Sequence, residues 1–220
     1  FLSWDEKIHL TDHILRQFSQ YGFPVSASNP RLYLKESDRD LGKDFWRRKG
    51  LTLEERSKVI IIHPGSGSKR KVWPLERFLT LAQTLQNSLC SRILIILGPA
   101  EGLEVERVFE GMDPHALIQV KGLSLLQIAS VMEGCRLFIG NDSGISHMAS
   151  ALGLPTIAIF GPTDPKVWSP RGERVWVVRR EIPCSPCNRE RFFQCIDLEC
   201  LKGVEIEEVL RGLERLGFEN

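Results

Sequence analysis

The chain has 220 residues, 42% of them hydrophobic and 26% charged, with a formal net charge of +1. That is the composition of an ordinary globular protein of one domain with an appendage, or of two small ones. A balance so close to neutral provides no global field for nucleic acid or an anionic membrane, and no apolar run approaches the roughly 20 residues of a membrane span.

The first residues, FLSWDEKIHLTDHILRQF, already lie inside an amphipathic pattern with no n-region and h-region ahead of a cleavage site, so no secretory signal is expected. The chain is therefore expected to be cytoplasmic, and a fragment or a chain whose first part is missing. Ile8, Ile14, Leu15, Phe18 and Tyr21 recur at helical spacing over residues 5–21, and Gly22 and Pro24 end the run. Residues 25–50 carry no strong periodicity beyond a helix predicted near 38–49.

From Lys58 short apolar runs alternate with amphipathic segments of helix length. Strands are predicted at 59–63, 92–98, 116–120, 136–141 and 156–161, with an edge strand at 175–178. Helices are predicted over 74–86, 101–110, 124–134, from Ser143 onward, and over 204–216. Five βα repeats whose strands are apolar on both faces imply an α/β fold, a Rossmann-like parallel sheet with helices on both faces. Residues 1–57 read as a linker helix and connecting region, and residues 58–220 as the Rossmann-like domain.

Ligands of such sheets collect at the carboxyl ends of the strands. The loop HPGSGSKRKVWP, from His63 to Pro74, offers Gly65 and Gly67 for close backbone approach, Ser66 and Ser68 as hydroxyls, and Lys71 as a cation. It lacks the spacing of a P-loop. GPAE ends at Glu101, which can accept ribose hydroxyls or simply stabilise a helix start. GNDSGISH, residues 140–147, ends a strand and opens a helix. Capping uses only one of Asp142 and Ser143, which leaves the other for a ligand, with His147 one turn further in. FGPTDP, residues 160–165, forms a stiff turn at the same rim.

Cys90 and Cys135 sit among apolar residues and read as small buried hydrophobes. Cys184, Cys187, Cys195 and Cys200 form a cluster with the ligand count of a structural zinc site. Their spacing is not that of a common zinc ribbon, so reduced or adventitiously oxidised thiols are the preferred reading, with structural zinc the less favoured alternative.

Taken together, HPGSGSKRKVWP, GPAE, GNDSGISHMASALGLPTIAIFGPTDP and the CSPC that follows resemble the C-terminal half of glycosyltransferase family 9, over about residues 58–217. The best-known members are ADP-heptose:lipopolysaccharide heptosyltransferases. The resemblance implies the donor-binding half of a GT-B fold, with residues 1–57 as interdomain linker and 58–220 as the nucleotide-sugar-binding domain. It further implies inverting transfer of heptose from ADP-heptose to a lipopolysaccharide core acceptor. The acceptor site and catalytic base would lie in an N-terminal half that this chain does not contain, so the chain alone would bind donor with little turnover. A peripheral position at the inner membrane stays open.

Carried over by position, Gly65, Ser66 and Gly67 would contact the diphosphate, and Lys71 would neutralise phosphate charge. Glu101 would hold the ribose and Leu123 would face adenine. Asp142 would bind hydroxyls of the transferred sugar, and Ser143 and Gly144 would offer donors to phosphate. His147 matches the family histidine. Lys71 and Asp142 are thus the candidates for catalysis. A stand-alone nucleotide-binding regulatory module is the competing expectation.

Overall fold

A computed structural model describes residues 8–26, 29–89, 91–98 and 101–218. Cys90, residues 5–7 of the first predicted helix, and Pro99 and Ala100 of the GPAE loop lie outside the described residues.

The chain begins with α1 (Leu10–Gln20), α2 (Glu36–Arg48) and the short α3 (Leu53–Arg56), then enters β1 (Ile60–His63). A single 3-10 turn (Lys69–Lys71) leads into α4 (Leu75–Leu89), β2 (Ile93–Leu97), α5 (Leu103–Val108), β3 (Leu117–Lys121) and α6 (Leu125–Met132). There follow β4 (Leu137–Asn141), α7 (Gly144–Ala151), β5 (Thr156–Phe160), α8 (Pro165–Trp168) and β6 (Val175–Arg179). Three helices, α9 (Arg189–Gln194), α10 (Glu199–Lys202) and α11 (Ile206–Arg215), complete it.

The six strands form one sheet in the order β3-β2-β1-β4-β5-β6, and every pairing is parallel. β1 is central: Ile62 lies beside Ile95 of β2 on one side and Ile139 of β4 on the other. The strand order reverses between β1 and β4, so the loops leaving these strands part to opposite sides and open a crevice at their carboxyl ends.

Side chains alternate between two cores, as the period of a strand requires. Ile60, Ile62, Ile93, Ile95, Leu137 and Ile139 face one layer, with Phe78, Leu81 and Leu85 of α4 and Val209 and Leu213 of α11. Ile61, Leu94, Ile96 and Phe138 face the other, with Ile128, Val131 and Met132 of α6 and Ala149 of α7.

Phe45 and Trp46 of α2 and the following Leu51 belong to this second core. The Trp46 indole donates to the Val131 carbonyl at 3.1 Å. Gly42 lets α2 approach α6, since a Cβ there would lie 2.2 Å from the Ser130 carbonyl oxygen. The segment placed with the connecting region at the level of sequence therefore packs as part of the sheet's helical cover. α1 lies beside the β5–β6 connection, where Asp12 pairs with Arg171 and His9 Nε2 meets the Ser169 carbonyl at 2.8 Å. Among the described residues no helix is long and apolar enough to cross a membrane.

Candidate functional site

β1 ends at His63 and the chain turns through the glycine–serine loop toward Trp73, which is fully buried. The shape of that loop is set from β4. Asn141, the last residue of β4, is 0% exposed, so its amide must find partners inside the protein. Its Oδ1 accepts the Trp73 N–H at 3.0 Å, and its Nδ2 donates to the carbonyls of Pro64 at 2.8 Å and Gly65 at 3.3 Å. The Trp73 indole donates to the Val204 carbonyl at 2.9 Å and fixes the far end of the loop.

The next residue, Asp142, is buried and joins its own loop to two others. Ser66 Oγ donates to its main-chain carbonyl at 2.8 Å. Lys71 Nζ lies 3.1 Å from its Oδ2, and Thr163 Oγ1 donates to the same oxygen at 2.7 Å. The choice left open between Asp142 and Ser143 is resolved here: Ser143 caps α7 by accepting the Ser146 N–H, and the Asp142 carboxylate turns to Lys71 and Thr163. Ser146 Oγ donates to the Asn141 carbonyl at 2.5 Å, tying the first turn of α7 to the strand end. His147 is close enough to feel the Asp142 charge and bonds to the main chain of Trp168. Desolvation nevertheless sets the direction of its shift and lowers its pKa.

Beside this cluster lies a cleft of about 1060 Å³. Six of the ten residues singled out from sequence line it: Ser66, Gly67, Glu101, Leu123, Ser143 and Gly144. Gly65 lies beneath the Glu101 carboxylate, and a Cβ at 65 would stand 2.0 Å from Glu101 Oε1. Glu101 itself accepts the Gly98 N–H. Lys71 and Asp142 adjoin the cleft through Ser66, while His147 is not among its lining residues.

Three contributors had no role assigned from sequence. Asn141 passed as the end of a strand, although an amide closing an apolar strand has to be satisfied in the core. Thr163 was noted only as part of a turn. His63 forms part of the floor of the cleft, with Nδ1 2.9 Å from the Ile96 carbonyl, and burial lowers its pKa against the pull of Glu101.

The cysteines behave as two sets. Cys135 is buried, bonds to the Val131 carbonyl, and burial pushes its thiol up to about 12. Cys184, Cys187, Cys195 and Cys200 are all free thiols. Cys200 is raised to about 11, by burial first and then by the other three. Among the described residues no group of three or more His, Cys, Asp or Glu side chains forms a metal-binding arrangement.

The profile of glycosyltransferase family 9 (heptosyltransferase) matches residues 5–196. The chain belongs to glycosyltransferase family 9. Lipopolysaccharide heptosyltransferase 1 of Pseudomonas aeruginosa is 29% identical to this family 9 chain over 154 residues, covering 70% of the chain and 42% of that protein. A solved family 9 glycosyltransferase from Veillonella parvula superposes with a TM-score of 0.84 and 26% identity, covering 98% of this chain and 62% of that one. An Escherichia coli heptosyltransferase solved with ADP shares the fold at a TM-score of 0.68 and 20% identity, over 96% of this chain and 57% of that one. The family 9 chain thus spans between two fifths and two thirds of the length of these relatives.

Proposed function

We propose that the chain is the donor-binding half of an inverting glycosyltransferase that moves heptose from ADP-heptose to a lipopolysaccharide core acceptor. The reading is supported by family membership, by the heptosyltransferases it resembles, and by the ADP bound to one of them. The observation that carries it is the convergence on Asp142. A carboxylate shared by Lys71 and Thr163 stands at the edge of a cleft that runs past Ser66 and Gly67 to Glu101 and Leu123.

In that cleft adenine packs against Leu123, Glu101 accepts the ribose hydroxyls, and the diphosphate lies over Ser66, Gly67 and the first amides of α7. Those amides and the dipole of α7 favour negative charge. The transferred sugar reaches Asp142, whose carboxylate accepts its hydroxyls. An acceptor hydroxyl attacks the anomeric carbon, the bond to the phosphate oxygen breaks, and its electron pair stays with ADP. Lys71 and the amide donors stabilise the charge that grows on that oxygen, where fixed donors lower the barrier most. The base that takes the acceptor's proton belongs to the other half of the enzyme.

Calorimetric titration with ADP, UDP and GDP tests the reading. ADP is expected to bind best, and Lys71→Met to weaken it about 10-fold to 100-fold, the worth of one charge-assisted hydrogen bond. Asp142→Ala should leave ADP binding in place and abolish transfer in the complete enzyme. Failure of all three diphosphates to bind, or indifference of ADP to Lys71→Met, would refute the assignment.

A further inference from the structure

The last residue of β1 carries an imidazole into the floor of the nucleotide cleft. The His63 side chain leaves the sheet on the face that Ile61, two residues earlier, shares with α6 and α7. It is buried, and one bond fixes the ring: Nδ1 lies 2.9 Å from the Ile96 carbonyl of β2. A carbonyl only accepts, so Nδ1 carries the proton, and in the neutral ring Nε2 presents a lone pair. Burial lowers the His63 pKa, which keeps the ring neutral at neutral pH. Among the described residues Nε2 has no hydrogen-bond partner, yet it is not sealed from solvent. It opens on the cleft that His63 lines.

A second acceptor stands beside it. Glu101 takes the Gly98 N–H, two residues along from the carbonyl that holds His63. Its carboxylate lies over the ends of β1 and β2. A Cβ at Gly65 would stand 2.0 Å from Oε1, and one at Gly98 would stand 2.7 Å from Oε2. The Glu101 charge is near enough to act on the imidazole. Among the described residues no side-chain donor is bonded to either group. Lys121, which lines the same cleft, pairs with Glu106, and the Ser66 hydroxyl goes to the Asp142 carbonyl. Two acceptors facing one cleft lose water when a ligand enters, at a cost that only two donors on that ligand offset.

A vicinal diol brings two donors in the least space, because its hydroxyls sit on adjacent carbons. Of the parts of ADP, only the ribose carries one; the diphosphate is an acceptor and adenine offers a single amino group. We infer that His63 is a sugar-specificity residue of this site, its Nε2 accepting one hydroxyl of the nucleotide's ribose while Glu101 accepts the other. The inference rests on the donor reading above and deepens it, dividing between two residues the diol assigned there to Glu101 alone. It makes the cleft selective for a ribonucleotide over either of its deoxy counterparts.

Calorimetry with ADP, 2′-deoxy-ADP and 3′-deoxy-ADP provides the test. The parent chain should bind each analogue at least about threefold more weakly than ADP. His63→Asn keeps an amide donor for the Ile96 carbonyl and removes the acceptor at Nε2. It should lose about threefold to tenfold in ADP affinity, yet bind one of the two analogues within about twofold of the parent. Glu101→Gln should show the same pattern with the other analogue. In the parent, the His63 Nε2 signal in long-range proton–nitrogen spectra should move with ADP and with only one analogue, a reading that holds even where a variant does not fold. ADP that binds while both analogues match it overturns the diol assignment alone. So does a His63→Asn variant that weakens all three nucleotides equally, as a merely structural side chain would. Absence of ADP binding overturns the donor reading, and this inference with it.

Discussion

At the end of β4, Asn141 turns its amide to the β1 loop while Asp142 turns its carboxylate to Lys71 and Thr163. The first residue builds the loop and the second ties it to the turn after β5. Asp142, Lys71, Ser66 and Glu101 could be singled out as candidates from sequence because their chemistry is unusual for a turn and each follows a predicted strand. Thr163 and Asn141 could not, since their significance lies in partners 21 and 77 positions away. Thr163→Val tests this scale. The substitution keeps the shape of the side chain and removes the 2.7 Å bond to Asp142 Oδ2. Transfer by the complete enzyme should fall about 10-fold to 100-fold, with ADP affinity within about twofold of the parent, as steady-state kinetics and calorimetry will register. An unchanged turnover number would mean that Lys71 alone orients the carboxylate.

Elements were legible in proportion to their length and burial. Each of the five strands predicted for the βα series appears within about two residues of its expected limits, and four of them, all but β3, are buried along their whole length, which makes for compact apolar runs. The short helices α3, α8, α9 and α10, of four to six residues, leave too little periodicity to detect. α2 was recognised as a helix within the connecting region, and there Gly42, Phe45 and Trp46 are buried against α6 and the sheet. Gly42→Ala makes that contact measurable. Helix propensity favours alanine by about 1 kcal/mol, but the new methyl meets main chain at Ser130, which a rotamer change cannot move aside. Overpacking should prevail, and urea denaturation should show a net loss of about 1–3 kcal/mol. A stabilised variant would show that α2 can lift away from α6 at little cost.

For the molecule as a whole, the buried histidine at the end of β1 ties stability to pH. Burial holds the His63 pKa below its usual value of 6.5, with the Ile96 carbonyl and Glu101 opposing. Unfolded chain therefore takes up a proton near pH 6.5, while folded protein resists until the pH is lower. In that window the unfolded state binds more protons, so stability rises with pH and is lost as pH falls. The urea midpoint should drop between pH 7.5 and pH 5.5, and His63→Asn should flatten the dependence. His147, shifted in the same direction, should leave a residual slope. A parent protein with a flat profile would mean that protonated His63 is accommodated in the fold.

The central position of β1 has a consequence for how the chain assembles. β2 and β3 can add to one side of it once residue 121 is available, but the opposite side waits for β4, about 75 residues further along than β1. Until then β1 offers a bare row of amides and carbonyls, the kind of edge on which chains mis-pair. The Asn141 clamp arrives with the strand that seals this edge, so the loop after β1 takes its final shape in the same event. A nascent chain halted before β4 would hold three strands together with Gly65 and Gly67 of the β1 loop, and still lack the wall of the cleft that Ser143 and Gly144 supply.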